Sequence, residues 1–418
     1  MEASLWWLLF YLLFISVQSL NGKLQSDELG DLVFLHLVWR HGDRAPVHNF
    51  TTNPDKASEW PEGLGELTKV GIQEHYKLGK HLRNRYSDFL PAVYNAKIIH
   101  VRSTDYNRTI MSALANLAGL FPLKSGDHWS ANLSWQPVPV HSVPGAVDNV
   151  LNMDSPCPRS DALQQTAFQS KEVAEVVKDY EDVFGFLRNE TGLPLTSLKD
   201  IRFVYDPLNC ARIHGHALPY WATEQRLQNI TDLFKLSTTY WFKSAEHKRL
   251  RGGLLLKDIL LRMLSVSRNR TDSAFKLYAY SAHDATLVAL LENLGIYEGQ
   301  MFPTYASVII FELRKVSTHY FVRVLYRIGA NAEETVLKLP FCAENCPLDV
   351  FAEQFDSSAP TDWKVECGLE GKRFAWKTYA LVFFVITIIV VLLLMAETVY
   401  FVNKQRRCLY APLEEEQC

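Results

Sequence analysis

With 418 residues, 48% of them hydrophobic and 21% charged, the chain has enough apolar side chain for sizeable cores and enough length for two or three structural units. Its formal net charge is only −3 and its sequence pI about 6.5, which argues against a nucleic-acid partner. Recognition of any anion must therefore rest on local clusters of cations.

The first apolar run, residues 5–17, is too short for a comfortable membrane span and fits the core of a signal peptide, read here as residues 1–19. Its flank carries Glu2 and no Lys or Arg, so an N-terminal anchor is the competing reading. Residues 32–38, Leu-Val-Phe-Leu-His-Leu-Val, form the kind of apolar run expected of a buried strand. Arg40-His41-Gly42-Asp43-Arg44-Ala45-Pro46 follows directly. Arginine is permanently charged, and its planar fork of donors matches phosphate oxygens. A histidine held among arginines has a lowered pKa, so it stays neutral and nucleophilic in acid. Such a heptapeptide in isolation would pass for a solvated basic turn. Placed beyond the end of a sheet strand, where α/β enzymes present ligands, it suits attack on a phosphoryl group. Asp43 would repel bound phosphate and is expected in an ion pair with an arginine.

Helical periodicity follows over residues 67–78. A strand at 98–101 leads into Arg102-Ser103-Thr104-Asp105 and a helix from about Thr109. Residues 160–268 are richer in charged, helix-compatible sequence. Within them His214-Gly215-His216 lacks an evident third metal ligand and reads as a loop. A strand at 277–281 leads to His283-Asp284 and a helix over 285–291, and segments 307–313 and 320–326 look like an antiparallel pair. This alternation argues for an α/β sandwich. Residues 378–402 are long and apolar enough to cross a bilayer of about 30 Å. Lys404, Arg406 and Arg407 beyond them favour a cytoplasmic tail, 403–418, although Lys372, Arg373 and Lys377 on the other side weaken that rule. A cleaved signal sets the same single-pass type I orientation. In the tail, Tyr410 and Leu413 fit a Tyr-x-x-apolar pattern of the kind a clathrin adaptor reads. It points to endosomes and lysosomes, with the plasma membrane as the other destination.

The Arg40 to Pro46 stretch, Arg102-Ser103-Thr104-Asp105 and His283-Asp284 occur in the order found in histidine acid phosphatases, a branch of the histidine phosphatase superfamily that this chain resembles from about residue 32 to about residue 367. The resemblance implies a phosphoglycerate-mutase-like α/β sheet domain flanked by helices, with a smaller, mainly helical domain inserted. The lumenal domain would span 30–370, its core at about 30–158 and 269–370 and its helical cap at about 159–268. Carried to matching positions, the family's roles make His41 the nucleophile and Asp284 the proton donor. Arg40, Arg44, Arg102 and His283 would hold the phosphate. No cofactor is implied, because arginines fill the role a metal would otherwise take. Phosphate monoesters are the implied substrates, and a homodimer the implied assembly.

Of seven Cys, Cys408 and Cys418 fall in the tail. The resemblance implies Cys157–Cys367 and Cys342–Cys346 disulfides, and leaves Cys210 as a free buried thiol, Val308 standing where its usual partner would be. Six Asn-x-Ser/Thr sequons occur; Asn49, Asn132, Asn189, Asn229 and Asn269 are glycosylation candidates. Asn107, beside the expected site, is expected bare. Two alternatives stand beside a broad acid phosphomonoesterase. One is a phytase-like inositol polyphosphate phosphatase. The other is an inactive receptor or adhesion ectodomain, against which the intact set of polar residues argues.

Overall fold

The computed structural model describes residues 29–123, 126, 129–130, 133, 135–268, 275–370 and 374–409. The expected signal segment, the sequons at Asn132 and Asn269, and the Tyr410 to Leu413 pattern lie outside the described residues.

Strand β1 (Asp31–Arg40) is buried from Phe34 to its end. A strand covered on both faces needs no alternation of apolar and polar residues. Its side chains still alternate in direction. Leu35, Leu37 and Trp39 enter one core, and Phe34 and Val38 the core on the opposite face. Next come α1 (Lys69–Arg85), β2 (Ile99–Thr104), α2 (Asn107–Leu120) and the short β3 (His141–Val143). A helical stretch follows: α3 (Pro158–Phe168), α4 (Lys171–Asp179), α5 (Glu181–Thr191), α6 (Arg202–His214), α7 (Glu224–Thr238), α8 (Ala245–Arg251) and α9 (Gly253–Ser267). The chain then returns to the sheet with β4 (Leu277–Ala282), α10 (Asp284–Asn293), the hairpin β5 (Val308–Val316) and β6 (His319–Arg327), the short β7 (Thr335–Val336) and β8 (Cys346–Pro347), and α11 (Leu348–Phe355).

The strands form one mixed sheet in the order β3-β2-β4-β1-β5-β6-β7, with β8 on β6. Strands β3, β2, β4 and β1 are mutually parallel, and β5 runs against β1. The loops after β1, β2 and β4 therefore leave the sheet at one edge, the place where α/β folds bind ligands. Helices α1 and α2 cover one face through Leu78, Leu82, Leu117 and Leu120. Helices α9, α10 and α11 cover the other through Leu256, Ile259, Leu287 and Phe351. Each such side chain stabilises the fold by about 1.5–3 kcal/mol on burial. The middle helices gather a core of their own around Phe184, Leu198, Leu227 and Phe234. Helices on both faces of this mixed sheet, around its parallel half, are the α/β arrangement expected. One difference matters later: β2 runs to Thr104, three residues past the expected end at 101.

All these elements belong to a compact unit ending at Thr361. The second unit, from Asp362, holds α12 (Trp363–Glu366) and α13 (Phe374–Leu409). Within α13, Tyr379–Arg407 is long and apolar enough to cross a membrane.

Backbone contact fixes where the first loop sits. A Cβ on Gly42 would lie 2.4 Å from Gly71 O, and one on Gly71 would lie 2.2 Å from Asp43 O. The first turn of α1, capped by the Thr68 side chain accepting from Gly71 N–H, thus presses directly on the residue after His41. Only glycine permits that approach.

Candidate active site

His41 is the first residue beyond β1. Its N–H donates to Ala282 O at 2.9 Å, and its carbonyl accepts from Ala306 N–H at 3.2 Å. These bonds tie the loop to the end of β4 and to the start of β5. The ring's Nδ1 lies 2.8 Å from Gly42 O. A carbonyl can only accept, so Nδ1 carries the proton and Nε2 keeps its lone pair. Burial lowers the His41 pKa well below the ordinary value, and Arg40, Arg108, His283 and Arg44 lower it further. The ring is a neutral imidazole with a free nucleophilic nitrogen.

Arg40 closes β1. Its Nη1 donates to Pro303 O at 2.7 Å, and its Nη2 pairs with Asp284 Oδ2 at 2.9 Å. Its guanidinium lies over the Tyr305 ring, 4.3 Å from the centroid. Arg44 is gripped end-on by Asp206 of α6. His283 is the N-cap residue of α10. Its Nε2 is 2.9 Å from Thr104 Oγ1, and its Nδ1 is 3.5 Å from Arg108 Nη2. Thr104 Oγ1 donates onward to Thr109 Oγ1, so the His283 proton sits on Nε2. Burial first, then Arg108, lower the His283 pKa to about 3. Burial alone would raise the Asp284 pKa, but Arg40, Arg44, His283 and the Ala285 N–H hold it below the ordinary carboxylate value.

The structure brings His41, Arg40, Arg44, His283 and Asp284 to one cleft of about 590 Å³. Arg102 is not among them, which corrects the expected phosphate-binding set. Because β2 continues to Thr104, Arg102 lies within the strand rather than in the loop, and it pairs with the buried Asp148 at 2.5 Å. Arg108, in the first turn of α2, lines the cleft instead. The signal was present in the sequence, as a basic residue opening the helix after a strand and loop. Asp43 is corrected too. Its Oδ1 accepts from Thr68 Oγ1 and from His214 Nε2, both at 2.5 Å, with no arginine in the pair. His216 Nδ1 lies 3.0 Å from Asp55 Oδ1, so both histidines of the His-Gly-His segment face carboxylates. Tyr305 and Asp206 were missed, since each meets the site through a contact spanning more than a hundred residues of sequence.

Beyond the cations the cleft has an aromatic wall. Phe234, Trp241 and Phe302 lie within 5.0–6.1 Å of one another by ring centroid, and Arg40 sits 5.6 Å from the Phe302 ring. Cys342 and Cys346 form a disulfide, and Cys157 and Cys367 are each disulfide-bonded. Cys210 is free and buried, its thiol pKa pushed up to about 12 chiefly by burial. Asn189 is exposed on α5, and Asn229 half-buried on α7. The Asn49 amide bonds within its own loop, donating to Asp55 O. Asn107 is exposed at the start of α2 and donates to Glu66 Oε1.

A family model described as the histidine phosphatase superfamily (branch 2) matches residues 31–327. Prostatic acid phosphatase of Bos taurus is 40% identical over 367 residues, covering 87% of this chain and 93% of that protein. Lysosomal acid phosphatase of Homo sapiens is 41% identical over 343 residues, covering 81% of this chain and 80% of that protein. The solved phytase of Citrobacter braakii superposes with a TM-score of 0.62 at 19% identity, covering 81% of this chain and 99% of that one. At that identity the phytase likeness speaks to the fold alone.

Proposed function

This chain belongs to branch 2 of the histidine phosphatase superfamily, and we infer that it is an acid phosphatase that hydrolyses phosphate monoesters. One observation carries the reading. A buried, neutral His41 with its Nδ1 proton bonded away sits among Arg40, Arg44 and Arg108.

The mechanism follows from those groups. The three arginines take the nonbridging oxygens of the phosphoryl group, where transition-state charge gathers. His41 Nε2 attacks phosphorus in line. The P–N bond forms as the ester P–O bond breaks, and the leaving oxygen takes a proton from Asp284. Water then attacks the phosphohistidine and gives its proton to the Asp284 carboxylate, and inorganic phosphate departs as the P–N bond breaks. Two displacements replace one difficult one. The arginines supply the charge that a metal would otherwise bring, so the reaction needs no cofactor.

The acid preference arises at Asp284. Arg40 and Arg44 hold its carboxyl ionised against the effect of burial. A bound phosphate draws those guanidinium groups to itself and adds negative charge beside the carboxylate. Both changes raise the Asp284 pKa. Proton uptake therefore accompanies substrate binding and fails as the pH rises. His41 stays neutral far into acid, so activity is greatest there.

The wider setting belongs to the same proposal. The signal at 1–19, the apolar helix α13 and the Tyr410 to Leu413 pattern support a single-pass protein with its catalytic part lumenal, delivered to lysosomes through a clathrin adaptor. Relatives named lysosomal acid phosphatase support that destination. The homodimer and the helical cap over 159–268 rest on the family likeness, as does the pairing of Cys157 with Cys367. Hydrolysis of p-nitrophenyl phosphate by the full chain, with chelator present and across acid to neutral pH, tests the function. The expected result is acid-optimal turnover that disappears in His41→Ala. Folded protein without turnover would overturn it.

A further inference from the structure

Helix α6 carries Asp206, Cys210 and His214 at intervals of four. That spacing stacks side chains on one helical face, and this face meets the loop that follows His41. Asp206 Oδ1 accepts from Arg44 Nη2 at 2.9 Å, and Oδ2 from Arg44 Nη1 at 3.3 Å. Oδ2 also accepts the Val47 N–H at 2.9 Å. The Cys210 thiol lies 3.8 Å from Arg44 Nη1 and 3.5 Å from Tyr305 Oη. His214 Nε2 lies 2.5 Å from Asp43 Oδ1. One helical face thus holds the loop at residues 43, 44 and 47.

The grip on Arg44 has a definite consequence for its free donors. Asp206 occupies the end of the guanidinium, where Nη1 and Nη2 lie side by side, and Ala45 O takes a further Nη1 hydrogen at 3.1 Å. The Arg44 Nε–H is buried with no acceptor among the described residues. It shares the other edge of the planar group with the second Nη2 hydrogen. A paired edge of this kind matches two oxygens of one phosphate.

We propose that Asp206 is a positioning residue of the phosphate site: by clamping the end of Arg44 it keeps the Nε–Nη2 edge turned to the substrate, while His214 on the same helical face fixes Asp43 and with it the nucleophile loop. Asp206 touches no reacting atom; it acts on the phosphate through Arg44, and its bond to the Val47 N–H holds the loop that carries Arg44. Arg202, Tyr205 and Asn209 of the same helix line the cleft beside Asp206, so the helix that sets the phosphate grip also forms part of the cleft wall.

The proposal rests on the phosphatase reading, and inhibition by inorganic phosphate separates the two. The near-isosteric Asp206→Asn is expected to raise the Ki for inorganic phosphate and the KM for p-nitrophenyl phosphate together, by about tenfold, with kcat changed less than about threefold. A residue that only stabilised the fold would lower the melting temperature and leave Ki alone. In an Arg44→Lys background the same substitution should add little further to Ki, because the group through which it acts is gone. Asp206→Glu keeps the charge but displaces it, and raises Ki in the same direction where the amide variant does not fold. His214→Gln, which retains an N–H donor, should keep more activity than His214→Ala. An active wild type inhibited by phosphate, with unchanged Ki in folded Asp206→Asn, would overturn the proposal. An inactive wild type would overturn the phosphatase reading instead.

Discussion

Replacing Arg108 and Arg102 separately by alanine divides two roles that the sequence motif assigns to a single residue. Arg108 lines the cleft, with Nη2 3.5 Å from His283 Nδ1. Loss of one preorganised donor aimed at transition-state charge costs about 10²–10³ in rate. Arg108→Ala should therefore lose about that factor in kcat/KM for p-nitrophenyl phosphate. Its structural ties are a 3.5 Å contact from Nη1 to Gly65 O and packing over the Tyr106 ring at 4.7 Å, so the melting temperature should move little. Arg102→Ala should do the reverse. It strands the carboxylate of Asp148, which is fully buried. Breaking a buried pair from one side costs about 3–5 kcal/mol. The N–H groups of Val150 and Leu151 remain bonded to Asp148 Oδ1, at 3.2 and 3.0 Å, which places this case at the low end. About 3 kcal/mol corresponds to a fall of about 4 °C in a unit of this size. Steady-state kinetics at acid pH and thermal unfolding on both variants decide the matter. An active Arg108→Ala beside an inactive but equally stable Arg102→Ala would refute the assignment.

Other expectations follow from the same geometry. Asp284→Asn should slow hydrolysis of an alkyl phosphate far more than that of p-nitrophenyl phosphate, whose leaving group needs little help from a proton; equal losses on both substrates would remove Asp284 from the donor role. Buried histidines should make the fold less stable in acid. Burial holds the His75 pKa at about 4, so its penalty is absent above the unfolded value near 6.5 and grows as the pH falls below that. At pH 5 the penalty is about 2 kcal/mol. His75→Gln can still donate to Arg40 O, the present partner of His75 Nε2, and should lose about that much less stability between pH 7.5 and 5 in urea titrations; parallel losses would contradict the sign. Gly71→Ala should push the Gly42–Asp43 backbone away from α1, lowering kcat by an order of magnitude or more, and unchanged kinetics would show that the close approach does not set the position of His41.

Much of this site is legible in the sequence because it lies where local pattern and chemistry coincide. The apolar runs at 32–38 and 277–281 become β1 and β4, and their parallel pairing carries His41, His283 and Asp284 to one edge of the sheet. Arg102 misled because the end of β2 is not marked. Ser103 and Thr104 are as compatible with a strand as with a loop, and three more residues of strand turn Arg102 away from the cleft. The partners that orient the cations were out of reach for another reason. Asp206 meets Arg44 across 162 positions of sequence, and no periodicity encodes such a pair. The state of Asp284 reverses the simplest expectation for the same reason, since its ion pair with Arg40 exists only once β1 and β4 are adjacent.

His41 Nε2 takes the phosphoryl group in the proposed mechanism. Rapid mixing of Asp284→Asn with p-nitrophenyl phosphate, quenched in alkali where a phosphoramidate survives, tests it most directly. The expected result is a burst of p-nitrophenolate near the enzyme concentration, and phosphate on the peptide containing Arg40 to Arg44, attached at His41 and absent from His41→Ala. Linear release from the first turnover, no phosphorylated peptide, and inversion at a chiral phosphorus would show a single displacement by water and contradict it.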